Sequence, residues 1–429
     1  MDVPLKKVAI VGGGLAGLSA ASKLTKAGID VTLFEAAQQL GGRARAIVWK
    51  GKRLDNGQHI LLGAYQQTLG LMASIGVNEN HVLLRLPLAL NMHSAFTLKT
   101  KNLPAPLHLL FGLLSAKGLS WHERFAAIRF FIWLKATRFK LTKDEPLLSL
   151  LSRKHQPERL IKWLWEPLCL AALNTPITTA SAQTYLNVLR DSFNQSKTDS
   201  DLLLPKVDLS TLLSEPIAAH IKKHGGKIAL NTSVSNVEQT AHGFSLKITS
   251  KQVLEFSHVL LACSPHHLQA ISPKLDIASD SAALNYQPIY TVYIQYPSHI
   301  KLPNIMTGFT QGIAQWAFDR GQLCGQYGLV AVIISAEGAH QKLSQQALGE
   351  TITAELKVAF PYLPAPEWHK VIAEKRATFA CTAGLKRPTQ QTKIKNLYLA
   401  GDYTKGDYPA TIEGAIRSGL SAAQLILQS

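Results

Sequence analysis

The chain has 429 residues, enough to bury a large core and to form two or three domains. It is 46% hydrophobic, which excludes wholesale disorder, and its formal net charge of +17 favours anionic partners, either acidic lipid headgroups or nucleic acid. Four cysteines (Cys169, Cys263, Cys324 and Cys381) lie far apart with no CxxC pair. That spacing argues for reduced thiols in a reducing, cytoplasmic compartment and against a disulfide framework, and no metal site is expected.

The amino-terminal stretch KKVAIVGGGLAGLSAASKLTKAGIDVTLFEA predicts a strand over Val8 to Val11, a Gly12-x-Gly14-x-x-Gly17 turn, and a helix from Leu15 to Ala27 stopped by Gly28. A second strand over Val31 to Phe34 ends at Glu35 and Ala36. Gly12 allows the tight turn, Gly14 lets the backbone approach a pyrophosphate, and Gly17 lets helix and strand pack closely. The helix start, at Leu15 and Ala16, then offers free N–H groups to phosphate. Glu35 is placed to accept from ribose hydroxyls, and an acid there disfavours a 2′-phosphate. The apolar run leads straight into the glycine turn, so it is not read as a signal peptide.

QQLGGRARAI follows, with Gly41-Gly42-Arg43, and then RLDNGQHILLGAY with Asp55, Gly57, Gln58 and His59. The glycines admit a close backbone approach to a ligand, and Arg43 can supply charge to its phosphates. His59 reads either as a hydrogen-bonded buried histidine or as a wall residue of the ligand site.

Between Lys99 and Lys143 the chain carries nine Lys/Arg and one acid, Glu123, interleaved with Leu109, Phe111, Trp121, Phe125, Phe130 and Trp133. A helix too short and too charged to span a bilayer can still lie in its interface. The other reading is a core helix with a solvated basic face. Nucleic acid is disfavoured, because aliphatic residues outnumber stacking aromatics. No stretch reaches the roughly 18 consecutive apolar residues of a spanning helix. Further on, a helix, a Gly-Gly turn and two or more strands are expected over 216–250, with Val234 in a strand, followed by a buried strand ending at Ala262. No second strand-linked GxGxxG appears, so no nicotinamide-binding domain is evident and an external electron donor is expected.

Near the carboxyl end, YLAGDYTKGDYPATIEGAIRSG predicts a short strand, a Gly401-Asp402 turn and a helix starting at Thr411, Ile412 and Glu413. Its small residues recur at 414/418/422 and 415/419/423, both i,i+4 rows, which implies a close neighbour on that face. Tight helix packing is one reading. Close approach to a bound cofactor and the sheet is the other, and the front motif favours it.

Together these motifs resemble the flavin-containing amine oxidase and phytoene desaturase superfamily, over nearly the whole chain. That resemblance implies FAD as cofactor and an α/β fold: a discontinuous Rossmann-like FAD-binding domain (1–75, 205–270 and 390–429) with a second α+β substrate domain (76–204 and 271–389), partly helical and membrane-associating. It implies that Gly42 and Arg43 follow the ribose acid and that the Gly57–His59 segment lies along the flavin. It also places Val234 near the adenine, Gly401 and Asp402 on the ribityl-phosphate, and the helix start at Thr411–Glu413 on the pyrimidine end.

Within that superfamily WEPLCLAALNTP (Trp165 to Pro176), DNGQHILLGAY and GDYTKGDYPATIEGAIRSG are similar to the hydroxysqualene dehydroxylase family of bacterial hopanoid biosynthesis. The resemblance implies a hydrophobic C30 isoprenoid substrate, and hydride passing from reduced flavin N5 to an allylic cation as hydroxysqualene becomes squalene. It implies peripheral, monotopic attachment to the inner membrane, on an anionic surface met by region 99–143. A carotenoid (phytoene-type) desaturase is the alternative, then another amine oxidase-like oxidoreductase. No catalytic proton donor is assigned. His59, His81, Asp55 and Tyr403 qualify by chemistry alone.

Overall fold

A computed structural model describes residues 6–193, 195–273, 275 and 284–429. At its centre Lys7–Val11 pairs in parallel with Asp30–Phe34 on one side and His258–Leu261 on the other. Lys227–Ala229 and Leu397–Leu399 complete a five-stranded, all-parallel sheet. Val8, Ala9, Ile10, Val31, Leu33, Val259, Leu260 and Leu261 are all fully buried. Such continuous apolar runs, rather than alternation, are what a sheet covered on both faces requires. The sheet therefore gathers strands from the beginning, the middle and the end of the chain.

The helix Leu15–Lys26 covers this sheet with Glu215–Lys223 and the terminal helix Ile412–Gln428 packed beside it. Gly419 of the terminal helix lies directly against this first helix. A Cβ on Gly419 would sit 2.1 Å from the Ala16 carbonyl oxygen, and Ser19 Oγ lies 3.4 Å from the Ile416 carbonyl oxygen. Ala422 and Ala423 are fully buried in the same core. Ser418 hydrogen-bonds the loop instead, accepting from the Gly401 N–H at 3.0 Å and meeting Thr404 Oγ1 at 2.6 Å. At Gly419 the close neighbour is thus the first helix, whereas a Cβ on Gly414, near the helix start, would meet the helix's own entry turn at the Pro409 carbonyl oxygen, 2.7 Å away.

A second, seven-stranded sheet runs in the order Trp368–Phe379, Tyr286–Gln295, Leu329–Ser335, Trp316–Asp319, Met306–Gly308, Ala89–Met92, Phe96–Lys99. It is antiparallel except where Gly308 meets Met92. The helix Gln345–Ala359 packs on it through Leu348, Ile352 and Leu356. Val234–Thr240 opens a separate three-stranded antiparallel sheet.

A helical layer extends this part. Trp121–Ala136 starts with a capping box, the Ser120 N–H and Glu123 N–H each meeting the other residue's side chain. Phe130 packs edge-on against Trp165, and Ala126, Ala127 and Leu134 are buried with it. The outward side of the same helix is also apolar: Trp121 is 61% exposed, Phe125 58% and Ile132 64%. Leu107 and Phe111 of the neighbouring helix Leu107–Leu114 are exposed as well. Neither sequence reading alone describes this segment, because one side enters the core and the other is greasy, not merely basic. No helix among the described residues is long and apolar enough to cross a membrane.

Candidate active site

The front turn is built as its glycines require. Gly12 adopts φ +116°, and a Cβ there would strike the Ala262 carbonyl oxygen at 2.6 Å. A Cβ on Gly17 would sit 2.0 Å from the Gly12 carbonyl oxygen. Gly14 differs. Its backbone is extended (φ −72°, ψ 175°), a conformation open to any residue, and a Cβ would meet nothing within 4 Å. No neighbouring segment of the chain fills the space beside it, which is open to a ligand. The helix starting at Leu15 has no side-chain cap, so its first-turn N–H groups face that space.

Glu35 stands at the end of the second strand. Its Oε2 accepts from the Gly13 N–H at 2.6 Å and its Oε1 from the Ala37 N–H at 2.8 Å. Each oxygen keeps acceptor capacity for a hydroxyl. Ala36, beside it, is exposed. Glu35 also anchors the middle segment: its N–H bonds the Ala229 carbonyl, and Thr232 N–H bonds the Glu35 carbonyl. Val234, 4% exposed, follows Thr232 by two residues.

The Gly41-Gly42-Arg43 turn closes over the first turn. Gly41 N–H donates to the Gly13 carbonyl at 2.9 Å, and Gly42, at φ +59°, lies with its Cβ direction 3.3 Å from Gly14 Cα. Arg43 then reaches across to the far end of the chain. Its Nη2 is 2.8 Å from Asp402 Oδ1, and Nη1 donates to the Ala377 carbonyl at 2.6 Å. Gly401 adopts φ +158°, and a Cβ there would collide with the Tyr403 ring. Arg43, Asp402, Tyr403, Tyr286 and His266 line one small cavity. The Tyr286 and Tyr403 hydroxyls are buried and have no partner among the described residues. Burial raises the pKa of both phenols, so both keep their protons.

The Asp55–His59 segment joins this arrangement through Asn56, whose Nδ2 donates to the Arg43 carbonyl at 3.3 Å. His59 Nδ1 donates to the Gly57 carbonyl at 2.6 Å, which fixes the tautomer and leaves Nε2 as an acceptor. Burial lowers the His59 pKa, so the ring is neutral. It is half-buried, and it fits the wall reading better as a hydrogen-bond acceptor than as an acid.

Asp55 and Gln58 are occupied elsewhere. Asp55 Oδ1 accepts from the Leu209 N–H at 2.8 Å, and Oδ2 lies 3.4 Å from Arg320 Nη1. Arg320 Nη1 also donates to Gln58 Oε1, and its Nε donates to Gln326 Oε1 at 2.6 Å. Tyr293 brackets Asp55, donating to its carbonyl at 3.0 Å and accepting from its N–H at 3.2 Å. These two predicted site residues therefore hold the segment to the second sheet.

The Glu413 carboxylate is likewise turned away from the site. It is fully buried and accepts from the Gln67 N–H at 3.1 Å, the Thr68 N–H at 2.9 Å and the Thr68 hydroxyl at 2.6 Å. It caps the helix Gln66–Ser74 and pairs with Arg417 at 2.7 Å, leaving only its backbone N–H for a ligand. Thr411 caps the terminal helix through Gly414 N–H, and Ile412 is buried behind it. His81 lies exposed on the short helix Glu79–Val82, with no place in the cluster. Arg320, Tyr293, Tyr286 and Thr291 were not legible as site-related residues. Arg320 and Tyr293 act through contacts with the distant Asp55–Gln58 segment, Tyr286 and Thr291 bring unpartnered buried hydroxyls, and none of the four sits in a local motif.

An uncapped helix start beside the open space at Gly14, an acid with free acceptor capacity, and an arginine–aspartate pair facing orphaned phenols fit an FAD molecule. The fold and this arrangement define an FAD-dependent oxidoreductase of mixed α/β architecture. Residues 15–427 match the flavin containing amine oxidoreductase family, and the chain belongs to it. Among relatives, it is 28% identical to the hydroxysqualene dehydroxylase of Zymomonas mobilis, over 97% of this chain and 98% of that protein. It is 27% identical to the 15-cis-phytoene desaturase of Arabidopsis thaliana, over 98% of this chain and 80% of that protein. Among solved structures, an oxidoreductase from Methanosarcina mazei matches with a TM-score of 0.76 at 16% identity, covering 99% of this chain and all of the other.

Proposed function

We propose that this enzyme removes the hydroxyl of hydroxysqualene reductively: hydroxysqualene plus reduced FAD gives squalene, FAD and water. The observation that carries this reading is similarity to a hydroxysqualene dehydroxylase that runs essentially end to end on both chains. The bound flavin supplies the hydride. The hydroxyl is allylic, so its loss leaves a delocalised cation, and the protein must orient that carbon and exclude water.

In this reading the helix start at Leu15–Gly17 and the space beside Gly14 take the pyrophosphate, and Glu35 takes the adenosine ribose. Val234 borders the adenine. Arg43, Gly42, Gly401 and Asp402 hold the ribityl-phosphate side, and the Thr411–Ile412 backbone meets the pyrimidine end. His59 walls the flavin as a neutral acceptor. The nucleotide domain is 1–75, 205–270 and 390–429, and the remainder forms the substrate domain.

Anaerobically reduced enzyme incubated with hydroxysqualene is expected to release squalene, read by product analysis. Conversion of phytoene with an electron acceptor, and none of hydroxysqualene, would replace this reading with the desaturase one.

Exposed Leu107, Phe111, Trp121, Phe125 and Ile132, together with exposed Lys101, Lys117, Arg129, Lys135 and Lys140 of the same segment, support docking on an anionic membrane surface. Through that segment the C30 substrate would enter without crossing water. The triple change Trp121→Ala, Phe125→Ala and Ile132→Ala is expected to weaken co-sedimentation with anionic vesicles at least ~10-fold. Because all three side chains are exposed, thermal stability should hold. Unchanged sedimentation would remove the membrane assignment.

A further inference from the structure

The strand Tyr286–Gln295 lays one face along the Asp55–His59 segment. Tyr293 brackets Asp55, and two residues earlier on the same face Thr291 opposes Gly57. Thr291 is fully buried, yet its hydroxyl has no hydrogen-bond partner among the described residues. Its Oγ1 is the nearest atom, at 3.6 Å, to where Gly57 would carry a Cβ; His59 Cε1 is next at 3.8 Å. Gly57 is not in the left-handed region, so its backbone does not call for glycine. A Cβ there would stand in ordinary contact with both the threonine hydroxyl and the imidazole, so the missing side chain leaves a methyl-sized gap between them. An orphaned buried hydroxyl is costly, and retaining one points to a partner that arrives from outside.

We propose that Thr291 is a specificity-determining residue whose hydroxyl hydrogen-bonds the hydroxyl oxygen of an alcohol substrate beside Gly57, with His59 Nε2 accepting from the same group. A hydroxyl both accepts and donates. Thr291 O–H and the tautomer of His59 set by Gly57 offer the complementary pair. A hydrocarbon in the same place leaves Thr291 unpaired, so the site selects the alcohol and releases the deoxygenated product. The segment adjoins the cofactor residues, since Asn56 bonds the Arg43 carbonyl and Arg43 pairs with Asp402.

This assignment rests on the dehydroxylation reading, and ligand binding to oxidised holoenzyme separates the two. Hydroxysqualene and squalene are titrated against the flavin absorption spectrum, with FAD content and melting temperature recorded. Wild type is expected to bind the alcohol more tightly than squalene. Thr291→Val should weaken the alcohol about tenfold while leaving squalene and FAD content unchanged, and Thr291→Ser should restore most of the loss. Unliganded Thr291→Val should melt higher than wild type, because an orphaned hydroxyl becomes a methyl. If the Val protein does not fold, Thr291→Ala carries the same comparison. A wild type with no preference for the alcohol overturns the dehydroxylation reading and this assignment together. A wild type that prefers it, with Val or Ala variants that prefer it equally, overturns the assignment alone.

Discussion

Gly14→Val is expected to give a folded protein that holds no FAD. The backbone at Gly14 is extended, which suits a β-branched residue, and no protein atom lies within 4 Å of the added Cβ. The apoprotein should therefore melt close to wild-type apoprotein. The valine methyls occupy the space beside the uncapped helix start, where the pyrophosphate would approach the Leu15–Gly17 amides. Visible absorbance of the purified protein reads cofactor retention directly. Asp402→Ala should also lose FAD, because it removes the partner that holds Arg43 in the site. Gly17→Ala is the informative contrast: its Cβ would overlap the Gly12 carbonyl oxygen, so it should unfold the turn as well as lose the cofactor. A yellow, fully loaded Gly14→Val protein would show that the space beside Gly14 serves some other purpose.

Arg320→Met should destabilise the protein by about 3–5 kcal/mol in denaturant melts. Arg320 and Asp55 are each 2% exposed at the side chain, and Arg320 is shared by Asp55, Gln58 and Gln326. Removing the guanidinium leaves a buried carboxylate whose remaining contact is the Leu209 N–H, and strands the Gln58 carbonyl. Burial pushes the Asp55 pKa up even with Arg320 beside it, so losing Arg320 makes the buried carboxylate costlier still. The double variant Asp55→Asn/Arg320→Met should regain a large part of the loss, since it buries no charge. Because this cluster ties the Gly57–His59 segment to the second sheet, FAD retention should weaken in the single variant and recover in the double. An Arg320→Met protein as stable as wild type would show that water reaches the cluster.

The parts of the site readable in the sequence are those whose reasons are local. A strand, a glycine turn, a helix and a terminal acid occur within 30 residues, and Gly17 answers to Gly12 only five residues away, although Gly12 itself packs against distant Ala262. Arg43 and Asp402 were legible as separate sites, and their contact, across a sequence separation of 359, is the structure's contribution. Where local cues misled, tertiary neighbours had overruled them. Glu413 stands at a helix start, where an acid is favourable, yet its carboxylate caps a different helix brought alongside. Gly419 belongs to a small-residue row that any close neighbour would explain, and the neighbour is the first helix. Asp55 and Gln58 sit in a motif that invites a ligand, and Arg320, 265 residues away from Asp55, takes them instead.

By itself, then, the sequence determined the nucleotide-binding turn, the parallel strands that feed it and the turn chemistry at Gly401. Backbone conformation and hydrophobic pattern act over a few residues, and the chain carries both in plain order. Which polar groups end up paired and which stay free was decided only by the tertiary structure. Burial makes an unpaired group costly, and its partner is supplied by whichever distant segment packs against it. Thr291, left without one, is invisible until the second sheet is laid beside Gly57.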